Sequence, residues 1–224
     1  MTGRFVRVGV VFLMLAVVAA AAPPPDEQTL KQKYDAFIQS LDHKRVAGDY
    51  PKAVQKLDST DPKEQIAAIK TLAATGEVEV IPWIVQFVDS EDRHVRIYAG
   101  LSLLNVVSSH ELKRRDMSQP GRVVIKPPGP DDLDLKPMAW VIFKMLREPD
   151  DGNTHSYAAN MIGYLGLKEF EDEVRVLLKS RHPAVTRAAR NALEMLGVEQ
   201  PDAFSEAEIE KKRGQNYLLP RKQF

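Results

Sequence analysis

The chain contains no cysteine in 224 residues, which excludes disulfides, thiolate metal sites, a thiol nucleophile and a lipid-modified cysteine. Net charge is also missing. Thirty-one basic side chains face 31 acidic ones, so there is no electrostatic basis for nucleic acid as a partner. No Gly-rich phosphate loop and no Gly-x-Ser-x-Gly elbow occurs. His43, His94, His110, His155 and His182 never stand four residues apart, so there is no helical zinc pair. The carboxylate pairs Asp131-Asp132 and Asp150-Asp151 are adjacent in sequence and read as helix caps, and Ser156 beside His155 is not a nucleophile–base spacing. The residues thus supply no catalytic constellation, no metal site and no cofactor. Aromatics are scarce at 7 %, but an apolar share of 44 % is ordinary for a globular domain and excludes global disorder.

What is present begins with the first residues, "MTGRFVRVGVVFLMLAVVAAAAPPPDE". Arg4 and Arg7 precede an apolar run from Val8 to Val18, and small residues follow. That order is the one a secretory signal peptide has, with cleavage expected after Ala20 or Ala21. The run is short of the roughly 20 residues that span a bilayer. The expectation is export, to the periplasm or outside the cell, with an uncleaved anchor in the inner membrane as the alternative. Residues 1–21 are then the signal, 22–28 a Pro-rich linker, 29–197 a helical repeat domain and 198–224 a polar helix and tail.

The repeats declare themselves in "HPAVTRAARNALEMLG", His182 to Gly197. With Ala189 as anchor, the same columns recur around Ala68, Ala99 and Ala158. Six residues before each anchor stand Pro62, Arg93, Gly152 and Pro183. Four after it stand Leu72, Leu103, Ile162 and Leu193, and eight after it Gly76, Val107, Gly166 and Gly197. The anchors are 31, 59 and 31 residues apart, so one interval holds an insertion of about 28 residues. Each repeat is expected to pair an A helix with a B helix. The B helices are expected over 62–74, 93–107, 153–165 and 183–196, and A helices over 79–90, 135–148 and 167–180. Residues 27–45 read as helical, and 50–57 as a second short helix.

These columns resemble HEAT-like repeats of the short, roughly 30-residue kind, similar to the PBS-lyase type. The match is best where Asp92, Val95, Arg96 and Ala99 meet the D-x-x-V-R-x-x-A pattern; the arginine column is otherwise Gln65, His155 and Thr186. The resemblance implies an all-α fold: a right-handed α-α superhelix of about four helix pairs. It is nearly silent about function, because such scaffolds host many roles. Some HEAT-like proteins are di-iron hydroxylases built on His-Glu dipeptides, but here only His110-Glu111 occurs, outside the repeats. Others are bilin lyases, which fit an exported product poorly. An enzyme or enzyme-accessory protein of unknown substrate is the alternative reading.

The preferred reading is a non-enzymatic binding or assembly scaffold of the cell envelope. Positions five and one before the anchor, then two and six after it, share one face of each B helix. In the second repeat they are His94, Tyr98, Leu101 and Asn105; in the third, Asn153, Tyr157, Asn160 and Tyr164. The flanking repeats carry Lys63, Ala67, Lys70, Ala74 and Ala184, Ala188, Asn191, Met195. Tyrosine combines contact area with a polar end, so His94, Tyr98, Asn105, Tyr157, Asn160 and Tyr164 are candidates to bind a protein partner. The competing role for these rings is packing between helices. The insertion, 108–135, adds Arg114, Arg115 and Arg122 as candidates. It is open to three arrangements: a cover over the face, a short hairpin at "GRVVIK", or a seat for a partner strand. No nucleic acid and no membrane insertion after signal cleavage are expected.

Overall fold

The computed structural model describes residues 26–113, 115–116, 124–125, 129, 132–148 and 152–198. The expected signal, Arg114, Arg122, most of the insertion and the expected C-terminal helix lie outside the described residues. Those described form ten helices: α1 (Glu27–Ser40), α2 (His43–Asp49), α3 (Pro51–Leu57), α4 (Pro62–Ala73), α5 (Ile81–Val85), α6 (Arg93–Leu112), α7 (Ala139–Arg147), α8 (Gly152–Leu165), α9 (Glu171–Leu177) and α10 (Pro183–Met195). Besides them there is one antiparallel pair of two-residue strands, with Arg115 opposite Ile125 and Asp116 opposite Val124. That pairing engages part of the "GRVVIK" segment.

The B helices are α4, α6, α8 and α10, and they stack in that order, while α3, α5, α7 and α9 pack on them as a second layer. This is the HEAT-like α-α solenoid. Each B helix begins on the residue six before its anchor. Asp61 and Asp92 cap two of them: Asp61 accepts the N–H of Lys63 at 2.9 Å, and Asp92 those of His94 and Val95 at 2.8 and 3.0 Å. The anchor alanines are buried, and Leu72, Leu103, Ile162 and Leu193 are fully enclosed. Truncating one of these large side chains costs about 2–5 kcal/mol.

Gly76, Gly166 and Gly197 have φ of 68°, 64° and 84°, the left-handed conformation that stops a helix. Val107 stands in that column in the second repeat, so α6 continues to Leu112, past the expected end at 107. The A helices are shorter than expected because their ends tighten. Three start with a single 3-10 turn, at Val78–Val80, Lys136–Met138 and Lys168–Phe170. At the C-terminal ends of α5 and α9 the backbone also switches to i→i+3 bonds, as from Ser90 N–H to Phe87 O and from Ser180 N–H to Leu177 O.

The column three before the anchor explains how unlike residues fill one position. The Arg96 guanidinium donates to Ser90 O at 2.5 Å and Glu91 O at 3.1 Å. Gln65 Nε2 donates to Ser59 O at 2.8 Å, and Thr186 Oγ1 to Ser180 O at 3.1 Å. His155 Nε2 lies 3.0 Å from Glu148 O, which can only accept, so this nitrogen holds the proton. In every repeat a B-helix side chain satisfies a carbonyl left open where the preceding A helix ends. The Glu148 carboxylate, 3.7 Å from Arg96 Nε, ties the second repeat to the third.

The segment read as one helix over 27–45 breaks at Leu41. Leu41 N–H bonds back to Ile38 O, and Asp42 caps α2 through the N–H of Arg45. α1 begins at Glu27, within the stretch assigned to the linker. It packs on α7 and the 3-10 turn before it, burying Leu30, Tyr34 and Phe37 on one stripe. The first repeat's A helix is α3. Among the described residues, α10 carries polar side chains where the preceding B helices carry glycine. Gly100 and Gly163 stand where α6 meets α8 and α8 meets α10; the same columns in α10 are Arg190 and Glu194, both exposed.

Candidate binding face

The four B helices present one continuous side away from the core. Its first row, Lys63, His94, Asn153 and Ala184, is exposed in every repeat. Its remaining rows are exposed on α4 and half-buried or exposed on α6 and α8. On α10, Ala188 is buried while Asn191 and Met195 are exposed. No carboxylate occupies any of these sixteen positions.

The sequence-stated candidates fall into groups. His94 is three-quarters exposed, with Nδ1 3.8 Å from the Asp92 carboxylate that caps its helix. Asn105 is exposed and Tyr98 half-buried, and the Lys70 ammonium lies 5.4 Å from the Tyr98 ring centroid, a cation–π contact between α4 and α6. Tyr157 is different. A methyl on Gly100 would stand 3.2 Å from its Cδ2, so this ring is wedged into the α6–α8 seam and shows only part of itself outward. Tyr164 is likewise half-buried and packed against the core. Asn160 is half-buried; its Nδ2 donates to Ser156 O one turn back at 2.9 Å, leaving a second N–H and Oδ1 for other contacts. Arg115 lies in the two-residue strand pair, away from this row in the chain; Arg114 and Arg122 lie outside the described residues.

Position in the register, and not residue type, is what joins Lys63, Lys70, Asn191 and Met195 to the face. They stand in the two flanking repeats, which carry no tyrosine on this face. Lys70 matters through its seat over Tyr98, and Met195, 44 % exposed, is one of the few large apolar side chains left open. The three histidines near the A-to-B turns are consistent with structural roles: His155 donates to a carbonyl, His182 stands at the N-cap position of α10 with no side-chain capping bond, and His94 lies beside a capping aspartate. Among the described residues no group of histidines and carboxylates is placed to hold a metal ion, and no helix is long and apolar enough to cross a membrane.

Compared with known families, residues 50–111 match the family model for HEAT repeats. The match runs from α3 through α6, the first two helix pairs. HEAT repeats generally serve as protein-interaction scaffolds and are typically non-catalytic. No curated protein matches the chain.

Proposed function

We propose that this protein is an exported, non-enzymatic binding or assembly scaffold of the cell envelope, recognising a protein partner through the B-helix face. One observation carries the reading. Tyr98, Leu101, Tyr157, Asn160 and Tyr164 are half-buried, so their side chains are held in place by packing or, for Asn160, by its bond to Ser156 O, yet keep part of their surface exposed. A side chain fixed in this way loses little rotamer entropy on binding, which is what makes aromatic anchors effective. The location rests on the leader alone: two arginines, an apolar run and a small-residue stretch. The 108–135 insertion, with Arg114, Arg115 and Arg122, is the second surface in this proposal.

The test is affinity capture from envelope extract with the protein and with a Tyr98→Ala, Asn105→Ala, Tyr164→Ala variant, each checked for helical content by circular dichroism. A partner held by the protein and weakened tenfold or more in the variant supports the face. Capture that survives these changes and disappears on shortening the insertion between Ser109 and Asp134 moves the site there. Fractionation of cells and sequencing of the mature N-terminus test export.

A further inference from the structure

Resting on that reading of the face, we infer that its occupant is one amphipathic helix of a partner protein, laid along α6. Its apolar side meets Ile97, Leu101, Leu104 and Leu112, and its carboxylates point toward Lys63 and Lys70 of α4. Three observations converge. The first is a departure from the repeat. Two before, two after and five after the anchor, α4 carries Ile66, Lys70 and Ala73, α8 Ser156, Asn160 and Gly163, and α10 Arg187, Asn191 and Glu194. Of the four B helices, α6 alone fills these columns with three large apolar residues, Ile97, Leu101 and Leu104, all half-buried. The same helix lacks the stop glycine and runs for 20 residues, against 12, 14 and 13 in α4, α8 and α10. Its added turn ends on Leu112, 45 % exposed. Ile97, Leu101, Leu104, Ser108 and Leu112 follow at spacings of four, three, four and four, one helical stripe about 22 Å long.

The second is what the stripe does not offer. Its four aliphatic side chains make no hydrogen bond, so an extended main chain laid on them would give up water at its peptide groups and gain nothing in return. A helix closes its own N–H and C=O groups. It meets such a stripe with residues three and four apart, ridge against groove. Four turns of helix, about 15 residues, match the length of the stripe.

The third is charge. Lys63 and Lys70 are exposed and stand seven residues, about two turns, apart on α4; among the described residues no carboxylate is paired to either. The Lys70 ammonium lies 5.4 Å from the Tyr98 ring centroid, which sets it beside the stripe. None of the sixteen positions of the face is acidic, so a second copy of this chain brings these cations nothing of opposite sign. A partner helix with carboxylates two turns apart on one flank does.

The experiment selects segments of about 18 residues from a displayed random library on the immobilised full chain, and titrates the enriched peptides by fluorescence anisotropy and circular dichroism. The expected peptides place apolar residues three and four apart, carry Asp or Glu seven apart, and gain helix on binding. Leu101→Gln weakens them about tenfold, and Leu112→Gln, at a site exposed enough to leave folding intact, about fivefold. A proline in the middle of the peptide weakens them about tenfold. Replacing Lys63 and Lys70 by alanine weakens them about fivefold at low salt and flattens the salt dependence. Because the chain has no cysteine, Asn105→Cys takes a single benzophenone label beside the stripe, and its crosslinks should fall on the peptide. Crosslinks that fall instead on residues 199–224 of the same chain or on a second copy overturn the inference. So do peptides that bind without gaining helix, peptides lacking carboxylates, peptides indifferent to Leu101→Gln and Leu112→Gln, or no enrichment at all. Its failure is separable from that of the face itself. An extract partner lost in the Tyr98→Ala, Asn105→Ala, Tyr164→Ala variant but held by Leu101→Gln and Leu112→Gln leaves the face standing and removes only the helix along α6.

Discussion

Tyr34 of α1 and Trp140 of α7 stack with ring centroids 4.8 Å apart, tilted by 31°. Two cations bracket the same indole, Lys31 Nζ at 5.2 Å and Lys144 Nζ at 5.0 Å from its centroid. Arg147 reaches Glu27 at 2.8 Å, so the start of α1 lies at the end of α7 and the helices run antiparallel. Lys144 also bonds Asp89, beyond α5. The N-terminal helix is thereby fastened to the third repeat, past the two repeats that follow it in sequence.

This contact has a weak point that makes a clear prediction. Tyr34 is 5 % exposed and its hydroxyl has no hydrogen-bond partner. Burial therefore holds its ionisation well above the ordinary value of 10, with Asp35 adding to the effect. Tyr34→Phe removes an unsatisfied group while keeping the ring, so stability at neutral pH is unchanged or higher by up to about 1 kcal/mol. The pH dependence follows from the sign of the shift. The unfolded tyrosine ionises near pH 10 and the folded one does not, so its contribution is complete below that pH and is lost as the pH climbs beyond it. Urea titrations at about pH 8 and about pH 10.5 check this; a variant whose stability falls as steeply as the parent's above pH 10 contradicts it.

If α1 is part of the folding unit, Phe37→Ala destabilises the whole domain. The ring is 6 % exposed, and emptying its site costs about 3–5 kcal/mol. Hydrogen exchange separates the two possibilities. Faster exchange across the protein, including α8 and α10, marks one cooperative unit; faster exchange confined to 27–57 marks α1 to α3 as a separable flap.

The register was legible from the sequence because the anchor, leucine and glycine columns repeat, and a repeat specifies its own neighbours. Pro62, Arg93, Gly152 and Pro183 begin the B helices for that reason. The docking of α1 was not legible. Leu30, Tyr34 and Phe37 announce a buried stripe by their spacing, but nothing in a single stripe says which helix covers it. The role of Tyr157 was half legible. Its place on the outer face follows from helical period, whereas its wedge against Gly100 depends on how closely α6 and α8 approach. The column of Gln65, Arg96, His155 and Thr186 looked degenerate in letters and is uniform in chemistry, since each residue is a donor and the turn carbonyls are what it meets.

Three glycine-to-alanine changes give three different outcomes. Gly48 lies in α2 with nothing within 4 Å of an added methyl, so Gly48→Ala stabilises by about 0.5–1 kcal/mol through helix propensity. Gly76 has the same open space but φ of 68°, so Gly76→Ala costs about 1–2 kcal/mol in backbone strain. A methyl on Gly163 stands 2.9 Å from the Ala192 backbone and 3.0 Å from Met195 Sδ. The helix crossing must open, at about 1–3 kcal/mol before the propensity gain is returned. Thermal melts of the three variants test the order, with Gly48→Ala highest; a Gly163→Ala protein as stable as the parent means α8 and α10 are not pressed together there.

The donor column yields the last prediction. His155 is 4 % exposed, and its Nε2 proton satisfies Glu148 O at the end of α7. Alanine there removes the donor and leaves a cavity, so His155→Ala costs about 2–4 kcal/mol. Thr186→Val keeps the shape at the corresponding site and removes only the bond to Ser180 O, on a half-buried residue, so it costs about 0.5–1.5 kcal/mol. Arg96→Met keeps the aliphatic stem but frees the Ser90 and Glu91 carbonyls and the Glu148 carboxylate together. Because Glu148 also receives His155 through its carbonyl, the Arg96 and His155 changes should be non-additive, whereas Thr186→Val should add to either. Urea denaturation of the single and double variants measures this. Strict additivity of Arg96→Met with His155→Ala would show that the ion pair and the hydrogen bond at Glu148 act independently, and that the second and third repeats are not coupled through it.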